Sequence, residues 1–149
     1  MERAERDRHR IKSKEKVVAV RENEGVYFVV AGDEMQKLMC EKFPDRKTVP
    51  FREDFSKGEY SGFSFSAELV RQRADFWGVS QKEYAENLSP IIGLDLDKNY
   101  ALCFGDDACC RANLAFMIGY LRGRGYSKPI QVQIVNEYTL ALQKAYWVQ

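Results

Sequence analysis

Three short polar segments of this chain each follow an apolar run of the kind that forms strands: Gly32-Asp33-Glu34, Arg52-Glu53-Asp54 and Gly105-Asp106-Asp107. In an open α/β sheet, ligands bind beyond the carboxyl ends of the strands, where the strand order reverses. All three segments can reach that rim of the sheet. The sequence therefore places a candidate ligand site there.

The carboxylates of these segments are candidates for catalysis. Carboxylates gathered at one rim can act as general acid and base if their pKa values are separated. They can also hold Mg²⁺, which prefers oxygen ligands, so Mg²⁺ is a possible cofactor. The candidate catalytic residues are Asp33, Asp54, Asp106 and Asp107.

The same segments could also hold an anion. Arg52 can bind a phosphate or a carboxylate through its guanidinium group. Gly32 and Gly105 precede predicted helices, whose first backbone N–H groups favour anions. We therefore name Gly32, Arg52 and Gly105 as candidate ligand-binding residues.

Ordinary helix capping explains part of this pattern. Asp33 and one of Asp106 or Asp107 stand where an N-cap residue would, and such a cap stabilises a helix by about 1 kcal/mol. Glycine before them allows the tight turn. Capping does not explain why three charged residues stand together at 52–54. It also does not explain why two aspartates, rather than one, follow the third strand.

Cysteine and histidine offer little chemistry. The only histidine is His9, and no C-x-x-C pair occurs, so the sequence predicts neither a zinc site nor a Ser-His-Asp triad. Cys109 and Cys110 fall in the first turn of a predicted helix, which can lower a thiol pKa and make a nucleophile. No histidine is available as a base, and we expect both thiols to be structural.

Neither G-x-G-x-x-G nor a P-loop motif occurs, which disfavours a standard nucleotide site.

Composition indicates one ordinary domain. The 149 residues are 45% hydrophobic and 30% charged, with a net charge of +1. Residues 1–16 carry a net charge of +3 and are predicted to be a flexible tail, and residues 17–149 a single α/β domain. Nucleic acid is an unexpected partner except through that tail. No apolar run could span a bilayer or serve as a signal peptide, and the unpaired thiols predict a cytoplasmic protein with no membrane partner.

The first half of the domain reads as strands and helices in alternation. Residues 17–20 and 26–31 predict a hairpin closed by Gly25. A helix follows, and residues 47–51 predict a strand near a sheet edge because it contains Pro50. A polar loop at 52–63 is long enough to be functional.

The second half continues the alternation. Ser64 or Ser66 is predicted to cap a helix that ends at Trp77 before Gly78, and Ser80–Glu83 is a capping box for the next. A strand at 100–104, a helix through Cys110 and Leu121, and a strand at 130–135 follow. Residues 138–148 suit a strand or a helix, and we favour a strand or hairpin.

Several side chains near the second helix are predicted to have no site role. Arg71, Arg73 and Asp75 read as charges on a solvated helix face, although Arg71 could reach the long loop. Phe76 and Trp77 read as packing residues. Together the elements predict an α/β fold with a mostly parallel or mixed sheet, helices on both faces and an N-terminal hairpin.

The order and spacing of the motifs resemble a bacterial family, domain of unknown function 1835, over residues 26–135. The resemblance rests on five features: Gly32-Asp33, Pro50–Phe55 before Gly58, Arg71–Trp77, Ser80-x-x-x-Tyr84 and Phe104–Leu114. It implies a Rossmann-like, three-layer α/β domain. It also implies a polar signature at Gly32, Asp33, Arg52, Asp54, Gly58, Asp106, Asp107 and Asn113, which adds Gly58 and Asn113 to the candidate ligand-binding residues.

The chain departs from that family at two positions. Glu59 follows Gly58 where the family has proline, and Cys110 stands where a polar residue such as glutamine is expected.

Three functions stay open. The chain could bind or transform a phosphate-bearing or nucleotide-like small molecule at the rim, it could be a non-catalytic regulatory or protein-interaction module, or it could bind nucleic acid through its tail.

Overall fold

A computed structural model describes residues 25–149 of the chain. The predicted tail at 1–16 and the predicted strand at 17–20 lie outside the described residues. The elements, in chain order, are β1 (Val26–Val30), α1 (Gly32–Lys42), β2 (Lys47–Pro50), α2 (Ala67–Trp77), α3 (Gln81–Asn87), α4 (Ser89–Ile92), β3 (Asn99–Phe104), α5 (Ala108–Gly123), β4 (Ile130–Val135) and β5 (Leu142–Val148).

The five strands form one sheet in the order β2-β1-β3-β4-β5. The first four are parallel, and β5 pairs with β4 in the antiparallel direction. This confirms the predicted mostly parallel sheet and the strand that we favoured near the C-terminus. It also confirms that the Pro50 strand, β2, lies at an edge, where proline costs no ladder hydrogen bond.

Strand β1 lies inside the sheet. It pairs with β2 along one edge and with β3 along the other, so that Phe28 is opposite both Thr48 and Ala101. Both edges of β1 are therefore occupied by described strands.

Helices cover both faces of the sheet, as predicted. Successive side chains of β1 point to opposite faces, as they do in any strand. Phe28 packs with Met35 and Met39 of α1, whereas Val29 belongs to the larger core that contains Met117 of α5. The result is a three-layer arrangement with α1 on one side and α5 on the other.

Aromatic side chains attach the long loop after β2 to the body of the domain. Phe116 of α5 is fully buried, and the ring of Phe55 stacks on it with centroids 4.0 Å apart. Further rings from the loop and the core surround Phe116, namely Phe51, Tyr60, Phe63, Phe65 and Tyr120. This packing holds the backbone that carries residues 52–54 in one place.

Serine caps begin two helices where the sequence predicts them. Ser66 rather than Ser64 caps α2, accepting a hydrogen bond from the N–H of Leu69, and Ser80 accepts one from the N–H of Glu83 at the start of α3. Gly78 ends α2 with a φ of 69°, a left-handed conformation that glycine adopts without strain. Within residues 25–149, no helix combines the length and the apolar character needed to cross a membrane.

Candidate functional site

The rim of the sheet beyond β1 and β3 is the natural place for a site. These strands are neighbours, yet α1 leaves β1 on one face and α5 leaves β3 on the other. In doubly wound sheets this reversal opens a crevice at the carboxyl ends of the strands. The three predicted polar segments begin there, directly after β1, β2 and β3.

Arg52 and Asp33 meet at this rim. The Nε–H of Arg52 donates to Oδ1 of Asp33 over 2.8 Å, and its Nη1 reaches the carbonyl of Asn87 at 3.4 Å. Its Nη2 makes no hydrogen bond with residues 25–149. One edge of the guanidinium is therefore available to an anion.

The prediction that Asp33 caps a helix is wrong. Helix α1 begins after Ala31 and has no side-chain cap, because Gly32 takes a φ of 88° and Asp33 is already inside the helix. Its carboxylate instead faces Arg52 across the rim. Asp33 therefore orients the arginine that could bind a ligand.

Asp54 is held as an ionised carboxylate. Partial burial alone would raise the pKa of Asp54, but hydrogen bonds from the hydroxyl and the N–H of Ser56 outweigh burial and lower it. The ammonium of Lys57 lies 3.8 Å away and acts in the same direction. At neutral pH Asp54 can accept hydrogen bonds or attract a cation, but it cannot act as a general acid.

Asn113 supports the long loop from α5. Its side-chain oxygen accepts from the N–H of Phe55 over 2.9 Å, and its amide donates to the carbonyl of Glu53 over 2.6 Å. Both ends of the buried amide are thus occupied by the loop backbone. The candidate residue Asn113 positions Arg52 and Asp54 by holding their loop.

Asp107 and Glu137 form a pair of close carboxyl groups at the end of β3. Asp107 caps α5, accepting from the N–H of Cys110 over 2.7 Å, which confirms that one of the two aspartates is an N-cap. A hydrogen bond between the two carboxyl groups lowers the pKa of Asp107 and raises that of Glu137. Below its raised pKa, the protonated Glu137 can donate this hydrogen bond to Asp107.

Gly105 makes room for this pair. A Cβ at Gly105 would lie 2.5 Å from Cγ of Glu137 and 3.3 Å from Sγ of Cys110. Among residues 25–149, the donor atoms of Asp107, Cys110 and Glu137 all lie within 4.8 Å of one another. Such atoms could approach a divalent cation.

The two thiols at the start of α5 are not activated. Burial and the nearby carboxylates, Asp54 foremost for Cys109, raise the pKa of Cys109 and of Cys110 to about 12. Almost none of either thiol is therefore ionised at neutral pH, and the helix N-terminus does not make a nucleophile here. Cys110 is buried, as expected for a structural residue.

Two further candidates lie apart from the others. Asp106 is exposed and pairs with Arg111 over 3.1 Å on the outside of α5. Gly58 has a φ of 75° and lies beneath the ring of Phe76, where a Cβ would come within 2.7 Å of the ring. The packing at Gly58 explains the need for glycine without a ligand.

The prediction that Arg73 lies on a solvated helix face is wrong, because the residue is buried. Its side chain and that of Glu53 have no exposed surface, and their charged groups meet through two hydrogen bonds of 2.8 and 2.9 Å. The remaining guanidinium N–H groups donate to backbone carbonyls of the loop at Asp54, Lys57 and Glu59. A charge is buried on α2 because its hydrogen-bonding capacity is filled by the loop.

Glu53 accepts hydrogen bonds from three side chains at the centre of this buried cluster. Besides Arg73, it accepts a hydrogen bond of 2.6 Å from the hydroxyl of Tyr84 and one of 2.9 Å from the indole N–H of Trp77. Burial would raise the pKa of Glu53, but the Arg73 and Tyr84 hydrogen bonds outweigh it and lower the pKa. Trp77, which we predicted to be a packing residue, is 41% exposed with its indole fixed in place.

A cleft of about 680 Å³ opens between this loop and the helix pair α2–α3. That volume is typical of pockets that hold a small molecule. Two of the predicted site residues, Arg52 and Asp54, line it. The other lining residues are Glu53, Trp77, Val79, Glu83, Tyr84, Glu86 and Asn87.

No family model, curated protein or solved structure matches this chain. Membership of domain of unknown function 1835 therefore stays a prediction.

Proposed function

We propose that this protein binds a small molecule with an anionic group, of the phosphate-bearing or nucleotide-like class, in the cleft between the long loop and helices α2 and α3. The observation that carries the proposal is the position of Arg52. Among the described residues that line the cleft it is the only cationic side chain, and one edge of its guanidinium makes no hydrogen bond with residues 25–149. A planar guanidinium with free N–H groups fits phosphate or carboxylate oxygens.

The surroundings of Arg52 favour a prepared site. Asp33 fixes Nε, and the loop is held by Asn113 and by the buried pair of Arg73 and Glu53. A ligand group bound in such a site loses little energy to rearrangement of the protein. The indole of Trp77, also fixed by Glu53, provides a flat apolar surface for a ring.

Some features of the structure also fit the alternative function, a protein-interaction module. Asp107 is engaged in a helix cap, as that alternative expects, and six large apolar side chains within residues 25–149 are at least partly exposed. Two of these, Phe76 and Trp77, lie in contact, and Trp77 lines the cleft. The convergence of Arg52, Asp54 and Trp77 on one cavity favours a small molecule.

We also propose that the chain belongs to domain of unknown function 1835 and acts in the bacterial cytoplasm. Support for the family comes from the order of Gly32-Asp33, Arg52, Asp54 and Asp107 along the chain. Three of these five residues, Asp33, Arg52 and Asp54, lie at or beside the cleft.

Tryptophan fluorescence tests the binding proposal directly, because the chain has two tryptophans. In the variant Trp147→Phe, Trp77 is the only reporter, and nucleotides and sugar phosphates are titrated with and without Mg²⁺. We expect a saturable change in Trp77 emission that Arg52→Ala removes. The matched control is Arg71→Ala, which removes an exposed arginine from α2 and should leave binding unchanged. If no compound changes Trp77 emission, or if Arg52→Ala binds as well as its parent, the proposal is wrong.

A further inference from the structure

The charges of the cleft do not match an anionic ligand alone. Four acidic residues line it beside Arg52, namely Glu53, Asp54, Glu83 and Glu86. Glu53 is neutralised by the buried guanidinium of Arg73, and Asp54 has Lys57 nearby. Glu83 and Glu86 of α3 have no such buried cation, although Glu83 also stands in the first turn of α3, where a carboxylate favours the helix N-terminus.

Glu83 and Glu86 form an exposed pair of negative charges on one face of α3. Residues three apart on a helix are neighbours on its surface. Glu86 approaches Lys82 only at 4.0 Å, with both side chains largely exposed, and an ion pair of that kind is weak. Glu83 forms no ion pair within residues 25–149. A purely anionic ligand held by Arg52 would be repelled by both.

The cleft is therefore lined by both signs of charge and by an aromatic ring, and Arg52 also reaches the end of α3 at the carbonyl of Asn87. Arg52 belongs to the loop after β2, and the glutamates belong to α3. Trp77, at the end of α2, is 41% exposed, and its indole is the ring that organic cations prefer among aromatic side chains, although the guanidinium of Arg73 already lies 5.7 Å from the ring centre. Carboxylates and an exposed indole together favour an alkylated ammonium group over a strongly hydrated metal ion.

We propose that the ligand of this cleft is a zwitterion, with its anionic group on Arg52 and an organic ammonium group near Trp77, Glu83 and Glu86. This inference rests on the proposed function, because it assumes that Arg52 holds the anion. It narrows the ligand to compounds such as phosphorylated amino alcohols.

Calorimetric titration of the full chain in EDTA tests the inference with three probes: inorganic phosphate, choline and phosphocholine. We expect phosphocholine to bind at least tenfold more tightly than either of the other two. In Glu83→Gln/Glu86→Gln that advantage over phosphate should fall below threefold, while phosphate itself binds no more weakly. The control Glu34→Gln/Glu41→Gln removes two exposed carboxylates from α1, outside this cleft, and should keep the full advantage.

The outcomes separate this inference from the proposed function. If phosphate binds as tightly as phosphocholine and Arg52→Ala weakens both, the site holds an anion and the zwitterion is wrong. The zwitterion is equally wrong if the advantage survives in Glu83→Gln/Glu86→Gln, or if phosphate binds only when Mg²⁺ replaces EDTA and needs both glutamates. If no probe binds in an Arg52-dependent manner, with or without Mg²⁺, the anion site and the zwitterion both fail.

Discussion

Replacing Arg73 by methionine should destabilise the protein more than any other single change to a charged side chain of α2. The substitution keeps an unbranched side chain of similar length but leaves the carboxylate of Glu53 buried without its cation. It also removes the donors to the carbonyls of Asp54, Lys57 and Glu59. The loop that carries Arg52 and Asp54 would lose its main attachment to α2.

The expected loss follows from burial. Removing one partner of a buried, hydrogen-bonded ion pair typically costs about 3–5 kcal/mol, because the other charge remains in a poorly solvated place. Both side chains of this pair are 0% exposed. We therefore expect the free energy of unfolding to fall by about 3–5 kcal/mol, a large part of the total for a domain of this size.

Urea unfolding followed by far-ultraviolet circular dichroism measures this loss. The matched control is Arg71→Met, two residues away on the same helix, whose pair with Asp75 is 3.6 Å long and exposed. It should cost less than about 1 kcal/mol. The double variant Arg73→Met/Glu53→Gln should lose at least about 2 kcal/mol less than the sum of its single variants, since the two side chains interact. A loss for Arg73→Met no larger than that for Arg71→Met would refute the buried pair.

Three further predictions concern the core and the rim. Phe116→Ala should lower the free energy of unfolding by about 3–5 kcal/mol, against less than about 1 kcal/mol for Tyr138→Ala, which is 85% exposed; equal losses in urea unfolding would contradict the aromatic core. The pKa of Glu137 is raised in the folded state, so its contribution to stability is complete at low pH and is lost as the pH rises through that pKa. Glu137→Gln should therefore flatten the stability profile just above about pH 4.5, and an unchanged profile would count against the interaction between the two carboxyl groups. Cys109, with a pKa of about 12, should react with iodoacetamide at neutral pH far more slowly in the folded than in the urea-unfolded protein, as read by peptide mass spectrometry; rapid labelling of the folded form would show an ionised thiol.

Local sequence signals gave most of the elements correctly. Serine caps, Gly78 and the apolar runs act through nearby backbone, so their effects can be read without knowing the fold. The pairing of β1 could not be read in this way, because a strand's partners depend on the whole sheet. The parallel strands β2 and β3 occupy both edges of β1, and nothing near Gly25 indicates that.

The site was predicted in part, and its missing members had usable signals. Arg52 and Asp54 line the cleft, as their position after a strand suggested. Arg73 stands four residues after the buried Leu69, on the inner face of α2, which is a signal that its charge is not solvated. Glu137 follows the end of β4 as the other carboxylates follow their strands.

Charge balance was the hardest property to predict. The sequence shows that Glu53, Glu83 and Glu86 exist, but only the fold shows that Arg73 neutralises the first and leaves the other two facing the cleft. This is why the structure narrows the ligand beyond the anion that Arg52 alone suggests.

The most direct test of the binding cleft is a ¹H–¹⁵N NMR titration of the 17.3 kDa protein with phosphocholine and with nucleotides. Our account predicts concentration-dependent shifts at the Arg52 Nε–H, the Trp77 indole N–H and the amides of α3, with little change at the exposed Tyr138. No shift for any compound, or shifts centred away from Arg52 and Trp77, would contradict it.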